Sequence, residues 1–331
     1  MKNPRLVLVA AMMLALTGCP PPGQTGGGGG RGGGGGGGGI AISPDSCGTI
    51  NVNPVGRKVY SFLVASAELD RASLELENSV ADACRKMARI LGVSDAGDTK
   101  QVCARASQEL QANLQVSVKS ESRLVTRYTP SVCHTDVDFS ASVVAECEAR
   151  ATADVTVRCD GHCSGACNGV CSSGTSGGQC AGVCNGRCSG GCDGYANVDA
   201  SAECKASAEI RTSLKTTCTE PKVEVVRQNV TVIDDTKFQK ALAAIDAGLP
   251  QILRASKKLE LAGKALVQWV STGASLVQAS GELIGQIGEK GLCVATQLAA
   301  VVAASANIEA RFSVSIEVSA SVSASAGARP Q

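Results

Sequence analysis

The chain has 331 residues, with 31 basic and 30 acidic side chains and very few rings (four Phe, three Tyr, one Trp). Near-balanced charge and scarce rings exclude a basic, ring-stacking nucleic-acid binder and leave no large ring-lined core. Gly numbers 38, thirteen of them between Gly26 and Gly39, and Cys numbers 17. That is more cysteine than an ordinary cytosolic enzyme carries, and it points to an oxidising compartment.

Lys2 and Arg5 precede an apolar run from Leu6 to Leu16 and then Thr17-Gly18-Cys19, so residues 1–18 read as a secretory signal peptide. The run is too short to span a bilayer, which takes about 20 residues. Its Leu16-Thr17-Gly18-Cys19 ending resembles the lipobox of bacterial lipoproteins. The resemblance implies cleavage before Cys19, diacylglyceryl addition to its sulfur, acylation of the new amine with a palmitate-type chain, and attachment to a membrane through that lipid. Several acyl chains anchor stably where one does not. Pro20 follows Cys19, where many inner-membrane lipoproteins have Asp, so the same resemblance implies the cell outer membrane. Residues 19–45 then read as the lipidated Cys and a Pro/Gly-rich tether, coil-like, with a span of about 25–30 Å.

Residues 46–112 read as a helical hairpin. Leu69, Ala72, Leu76, Val80, Ala83, Met87, Ile90 and Leu91 recur at helical spacing and stop at Gly92. A second helix is predicted after Asp98, with Gln101 three residues on as in a capping box. Cys84 and Cys103 fall at similar depths on either side of the turn, which suits a helix–helix disulfide.

Residues 113–235 carry the most informative pattern. Leaving Cys19 aside, twelve of the remaining cysteines form a palindrome of spacings: 14, 12, 4, 4, 4, 9, 4, 4, 4, 12, 14. The mirror pairs are Cys171–Cys180, Cys167–Cys184, Cys163–Cys188, Cys159–Cys192, Cys147–Cys204 and Cys133–Cys218, and the two position numbers of each sum to 351. A constant sum is the signature of an antiparallel hairpin, whose opposed Cα atoms lie about 4.5–5.5 Å apart, within disulfide range. Small and apolar residues alternate along 137–157 and 196–214 in the same register, predicting strands. The segment therefore reads as a long antiparallel ribbon with a Cys/Gly-rich tip at 159–192. That tip is too polar to order itself without cross-links. Elimination leaves Cys47 and Cys293 as the last pair. A metal cluster with His162 as an extra ligand is the competing reading, but the steps are C-x₃-C and not the C-x₂-C of zinc knuckles. No metal site and no cofactor are predicted, and His134 reads as a polar strand residue.

Residues 236–305 read as helical, with Asp235 as a cap, one helix over 236–247 and another opening at Pro250. The uncharged stretch Gly291 to Asn307 is short and Ala/Ser-rich, and reads as a buried helix. Residues 306–331 read as a C-terminal strand and tail, since every even residue from Ile308 to Ala326 is Ile, Ala, Phe or Val. The predicted fold class is α+β: a long antiparallel β-ribbon or sheet backed by long helices, with a disulfide-stapled Cys/Gly-rich finger.

Catalytic signatures are missing from the sequence: no G-x-S-x-G, no H-E-x-x-H, no phosphate loop, and only His134 and His162 as imidazole bases. In its lipobox and Cys/Gly repeats the chain resembles uncharacterised surface lipoproteins of gliding, fruiting-body-forming bacteria. The expectation is a non-catalytic structural or interaction lipoprotein of the cell envelope or surface, meeting an envelope protein or another copy of itself and no nucleic acid. The alternative is a delivered toxin or pore-former, because long helices beside a β-tongue resemble helical pore-forming toxins.

Overall fold

The computed structural model describes residues 41–118, 123–176, 179–180, 182–228 and 231–330. The chain divides into Met1–Gly38, which lies outside the described residues, and Gly39–Gln331, one unit of mixed helix and antiparallel sheet. The signal peptide, Cys19 and most of the tether are therefore not described.

The body is helical. After a short 3₁₀ turn at Pro44–Cys47, α1 runs Pro54–Leu91 and α2 runs Thr99–Ser117. Asn53 caps α1 by accepting the Gly56 N–H at 2.7 Å, and Asp98 caps α2 by accepting the Gln101 N–H at 2.8 Å. Gly92 ends α1 with φ +81°, a left-handed geometry that favours glycine. α5 (Asp235–Gln278), α6 (Ser280–Ile287) and α7 (Gly291–Ser325) complete the bundle.

Three expectations for this region are corrected. Pro250 does not open a helix: it lies inside the continuous α5. A mid-helix proline forfeits a hydrogen bond at a cost of about 3 kcal/mol, and full burial of Ile245, Leu249 and Ile252 around it offsets that loss. The cap of α5 is Asp234, which accepts the Lys237 N–H at 3.1 Å, and not Asp235. The predicted strand over 306–331 is the second half of α7, followed only by a three-residue strand. Ile308, Phe312, Ser315, Val318, Ser319 and Val322 are buried on one helical face, and an i, i+4 series belongs to a period of two as readily as to a period of 3.6.

The ribbon over 113–235 is also corrected. It is broken by two helices into a basal part and a finger. The strands are β1 (Arg123–Tyr128), β2 (Cys133–Asp136), β3 (Val157–Cys163), β4 (Cys167–Cys171), β5 (Thr175–Ser176), β6 (Gln179–Cys180), β7 (Cys184–Cys188), β8 (Gly191–Val198), β9 (Thr217–Cys218), β10 (Val223–Gln228) and β11 (Ala328–Pro330). Where strands were expected, α3 (Val137–Glu148) and α4 (Ala202–Lys215) form instead. Ala202, Ala206 and Ala208 favour helix in α4, Ala being the best helix former, and Asp136 caps α3 by accepting the Phe139 N–H at 2.9 Å. β1 pairs antiparallel with β10 and parallel with β11; β3, β8, β2 and β9 form a four-stranded sheet; β4 pairs with β7 and β5 with β6.

One core cluster surrounds Phe62 and Trp269, whose rings stack with centroids 6.4 Å apart. The indole N–H of Trp269 donates to Ser66 Oγ at 2.7 Å, so the chain's one tryptophan buries no unpaired donor. A second cluster joins Met87, Leu110, Ile245, Leu249 and Val322 from α1, α2, α5 and α7. The fold also takes hold of the chain before the predicted end of the tether. Ser43 N–H donates to Gln297 Oε1 at 2.7 Å, and the Tyr60 hydroxyl donates to Asp45 Oδ1 at 2.8 Å. The stretch Ser280–Ser325 is long and apolar enough to cross a membrane by composition. Here Val294, Leu298, Val301 and Ile308 from it line the first core cluster.

Candidate functional site

The finger is rooted on the body through α4. Arg211 pairs with Glu68 of α1 at 3.2 Å, the Ser61 and Ser207 hydroxyls share a hydrogen bond of 2.7 Å, and Lys215 Nζ sits 3.7 Å above the Phe139 ring. The Cys147–Cys204 disulfide clamps α3 to α4 with Cα atoms 5.7 Å apart, and Cys133–Cys218 closes the β2–β9 rung above them.

Beyond that root each arm repeats Cys-x-Gly-x: Cys159, Gly161, Cys163, Gly165, Cys167, Gly169, Cys171 on one side, Cys180, Gly182, Cys184, Gly186, Cys188, Gly190, Cys192, Gly194 on the other. Cysteine and glycine alternate along the period-two positions of each arm. Gly169 and Gly186 are ladder partners, and a Cβ on Gly169 would lie 2.3 Å from Asn185 O and 2.8 Å from Gly186 Cα. No side chain fits there, so the repeat sets how closely the two strands approach.

All eight predicted cysteine pairs are brought together. The structure bridges Cys47–Cys293, Cys84–Cys103, Cys133–Cys218, Cys147–Cys204, Cys159–Cys192, Cys163–Cys188, Cys167–Cys184 and Cys171–Cys180. Cys19, the seventeenth, lies outside the described residues. The strand register differs from the cysteine register. β1–β10 and Cys133↔Cys218 keep the sum of 351. In the finger the opposed residues are Cys163↔Cys192, Cys167↔Cys188 and Cys171↔Cys184, a shift of four. A disulfide can join residues four positions off the ladder only if the ribbon coils tightly. His162 accordingly forms a bridge to Val183 outside the main ladder, and β3 packs against β7 as well as β8.

Sequence reasoning missed one constellation at the finger's base. His134 on β2, Asp193 on β8 and His162 on β3 stand in one cross-strand row, since both histidines are ladder partners of Asp193. His134 Nδ1 pairs with Asp193 Oδ1, and His162 Nδ1 lies 3.9 Å from Asp193 Oδ2. The signal was available only in hindsight: β8 lies between β3 and β2, an order that no hairpin spacing encodes. Among the described residues no group of three His, Cys, Asp or Glu side chains is placed to hold a metal ion. Beside Tyr195 of β8, Glu209 of α4 is 2% exposed. Burial pushes its carboxyl above the ordinary 4.5, against the lesser pull of the Tyr195 hydroxyl and Lys205. Tyr195 is itself pushed up, by burial first and by Glu209 next.

The finger presents an outer face of Asn, Ser and Asp with Val170 exposed on it, 70% accessible. Elsewhere, a groove of about 390 Å³ runs between α1, α5 and β9, lined by Leu76, Ser79, Thr217, Gln251, Arg254 and Lys258. No protein-family model matches the chain, and no curated protein and no solved structure matches it either. The molecule defined by these features is an α+β, cysteine-rich protein with a disulfide-stapled finger.

Proposed function

We propose that this protein is a structural or interaction lipoprotein of the bacterial cell envelope, held to the outer membrane by lipid on Cys19 and presenting its finger to an envelope protein or a second copy of itself, without catalysis. One observation carries the reading: the eight disulfides engage every cysteine after Cys19, and Cys19 ends the apolar leader. A framework of that density belongs to an exported protein. The two halves of the finger support a contact role because cross-links fix its shape, so a partner binds without an ordering penalty.

The test is expression in a bacterial host with a labelled fatty acid. The wild-type chain is expected to take up label and fractionate with outer membranes, and Cys19→Ser to lose both. Membrane fractionation of Cys19→Ser at the wild-type level overturns the anchor. A photo-crosslinking residue at Val170 is expected to trap one discrete envelope partner or a dimer; absence of any adduct overturns the contact role.

A pore-forming reading rests on the apolar stretch Ser280–Ser325. Inserting it would require release from the core and from the Cys47–Cys293 bridge. Dye leakage from liposomes at low dose would favour this second reading.

A further inference from the structure

The four finger disulfides and the strand ladder stand in different registers, and the difference gives each inner cysteine two partners within bonding range. Cys163 is bonded to Cys188, with Cα atoms 6.0 Å apart, and stands opposite Cys192 in the ladder. Cys167 is bonded to Cys184 at 5.7 Å and stands opposite Cys188. Cys171 is bonded to Cys180 at 5.6 Å and stands opposite Cys184. Opposed residues in an antiparallel ladder have Cα separations of about 4.5–5.5 Å, which a disulfide also tolerates. A second set of bridges, Cys163–Cys192, Cys167–Cys188 and Cys171–Cys184, thus needs no strand to slip, because the ladder already stands in its register.

We propose that the finger is a thiol–disulfide relay that moves a reducing equivalent from its tip to its base. A dithiol reductant gives two electrons and two protons to Cys171–Cys180 and leaves as a disulfide, so that two thiols form at the tip. The Cys171 thiolate attacks the Cys184 sulfur, making Cys171–Cys184 and expelling the Cys167 thiolate. Cys167 attacks Cys188 and expels Cys163; Cys163 attacks Cys192 and expels Cys159, which takes up the proton that Cys171 released. Each exchange conserves electrons and runs through a mixed disulfide between ladder neighbours. The result is three bridges in place of four, with thiols at Cys159 and Cys180.

Exposure sets the direction. Of the eight finger cysteines only Cys167 and Cys171 are half-buried, while Cys159, Cys163, Cys180, Cys184, Cys188 and Cys192 are each no more than 2% exposed. A reductant in solution meets the outer bridges first. Opening Cys167–Cys184 instead leads to the same end state, with Cys184 attacking Cys171 and releasing Cys180. The oxidised form keeps its present register because Cys159 stands opposite Ala196 and Cys180 opposite Thr175, so the ladder register can close only three bridges.

Two measurements test the relay. In the full chain, limited dithiothreitol is added until two thiols per molecule appear, the sample is acid-quenched and alkylated, and peptides are mapped by mass spectrometry. The relay predicts label on Cys180 and Cys159, with Cys159 labelled at least tenfold above Cys171. Equal or greater label on Cys171, with the other bridges native, overturns it. In the oxidised Cys159→Ser/Cys180→Ser double variant, the relay predicts Cys163–Cys192, Cys167–Cys188 and Cys171–Cys184 with no free thiol in the finger. Retention of Cys163–Cys188 and Cys167–Cys184 with Cys171 and Cys192 alkylated overturns it. The first measurement needs no substitution, so a folding failure of the variant does not decide the question.

Discussion

His134 and Asp193 face each other across β2 and β8, and His134 Nδ1 meets Asp193 Oδ1 at the point where the finger leaves the body. β2 carries the bridge to β9 and β8 is the finger's return strand, so this pair couples the root to the projection. The Asp193 side chain is 24% exposed and that of His134 54%, which places the pair between buried and solvated. Screening at such exposure limits its contribution to about 0.5–1 kcal/mol. Asp193→Asn is expected to lower the melting temperature by a few degrees. A double-mutant cycle with His134→Ala should return a coupling near that figure. Strict additivity of the two substitutions would show that the row contributes nothing.

Glu209 gives the fold a pH dependence of definite sign. Its folded carboxyl is raised by burial above the ordinary 4.5, so the folded chain holds that proton more tightly than the unfolded chain does. The stability it contributes is complete below pH 4.5 and is lost as pH rises through the folded value. Lys205 Nζ, 3.8 Å away, offsets part of that loss. Glu209→Gln carries no charge to bury. It is expected to gain in melting temperature over the wild type progressively as pH rises from 4.5. A difference that stays constant with pH would assign the carboxylate no penalty.

The nested bridges predict an unequal effect of removing them. Cys147–Cys204 closes a sequence separation of 57, but Cys159–Cys192 inside it already closes 33 of those positions. The loop left to constrain is short, and chain-entropy reasoning gives about 3 kcal/mol for it. Cys147→Ser/Cys204→Ser should cost about that much in a denaturant titration read by circular dichroism, and should leave the helical signal of the native state intact. Loss of native helix in this variant would mean that the bridge, and not local propensity and capping, holds α3 and α4.

These bridges also show what the sequence could and could not tell. Cysteine pairing was legible from the palindrome because a disulfide reports only that two residues are near, whatever lies between them. The same spacing also predicts a continuous β-ladder, which holds for β1 with β10 and for Cys133 opposite Cys218 but is interrupted by α3 and α4. The separations from Cys133 to Cys147 and from Cys147 to Cys159 accommodate α3, mirrored by α4, as symmetrically as they would accommodate strands. The four-residue shift in the finger was hidden for a related reason: equal spacing of four makes the bridged register and the opposed register look alike. The His134–Asp193–His162 row was out of reach because it depends on strand order, and the leader with Cys19 falls outside the described residues.

The close approach of Gly169 and Gly186 leads to a further expectation. A methyl group at Gly169 would meet backbone atoms of Asn185 and Gly186 that cannot move aside singly. Gly169→Ala should therefore spread β4 from β7 and hinder closure of Cys167–Cys184 and Cys171–Cys180. Thiol labelling after oxidative refolding should find free thiol at these four positions, against almost none in the wild type. Gly263→Ala, on α5 with open space around it, is the control and should refold with all bridges closed.

The helical C-terminus is tested by two isoleucines. Ile308 and Ile316 are both even-numbered, so a strand would place them on one face with equal burial. Along α7 they are eight positions apart with Ile308 fully buried and Ile316 50% exposed. Two turns of 3.6 residues fall short of eight by enough to swing Ile316 some 80° away from Ile308. Truncating a buried isoleucine to alanine costs about 2–5 kcal/mol, and an exposed one about 0.5 kcal/mol or less. Ile308→Ala is expected to lower the denaturation midpoint strongly and Ile316→Ala hardly at all. Matching losses at the two positions would restore the strand and remove α7 from the core around Trp269, where Ile308 now belongs.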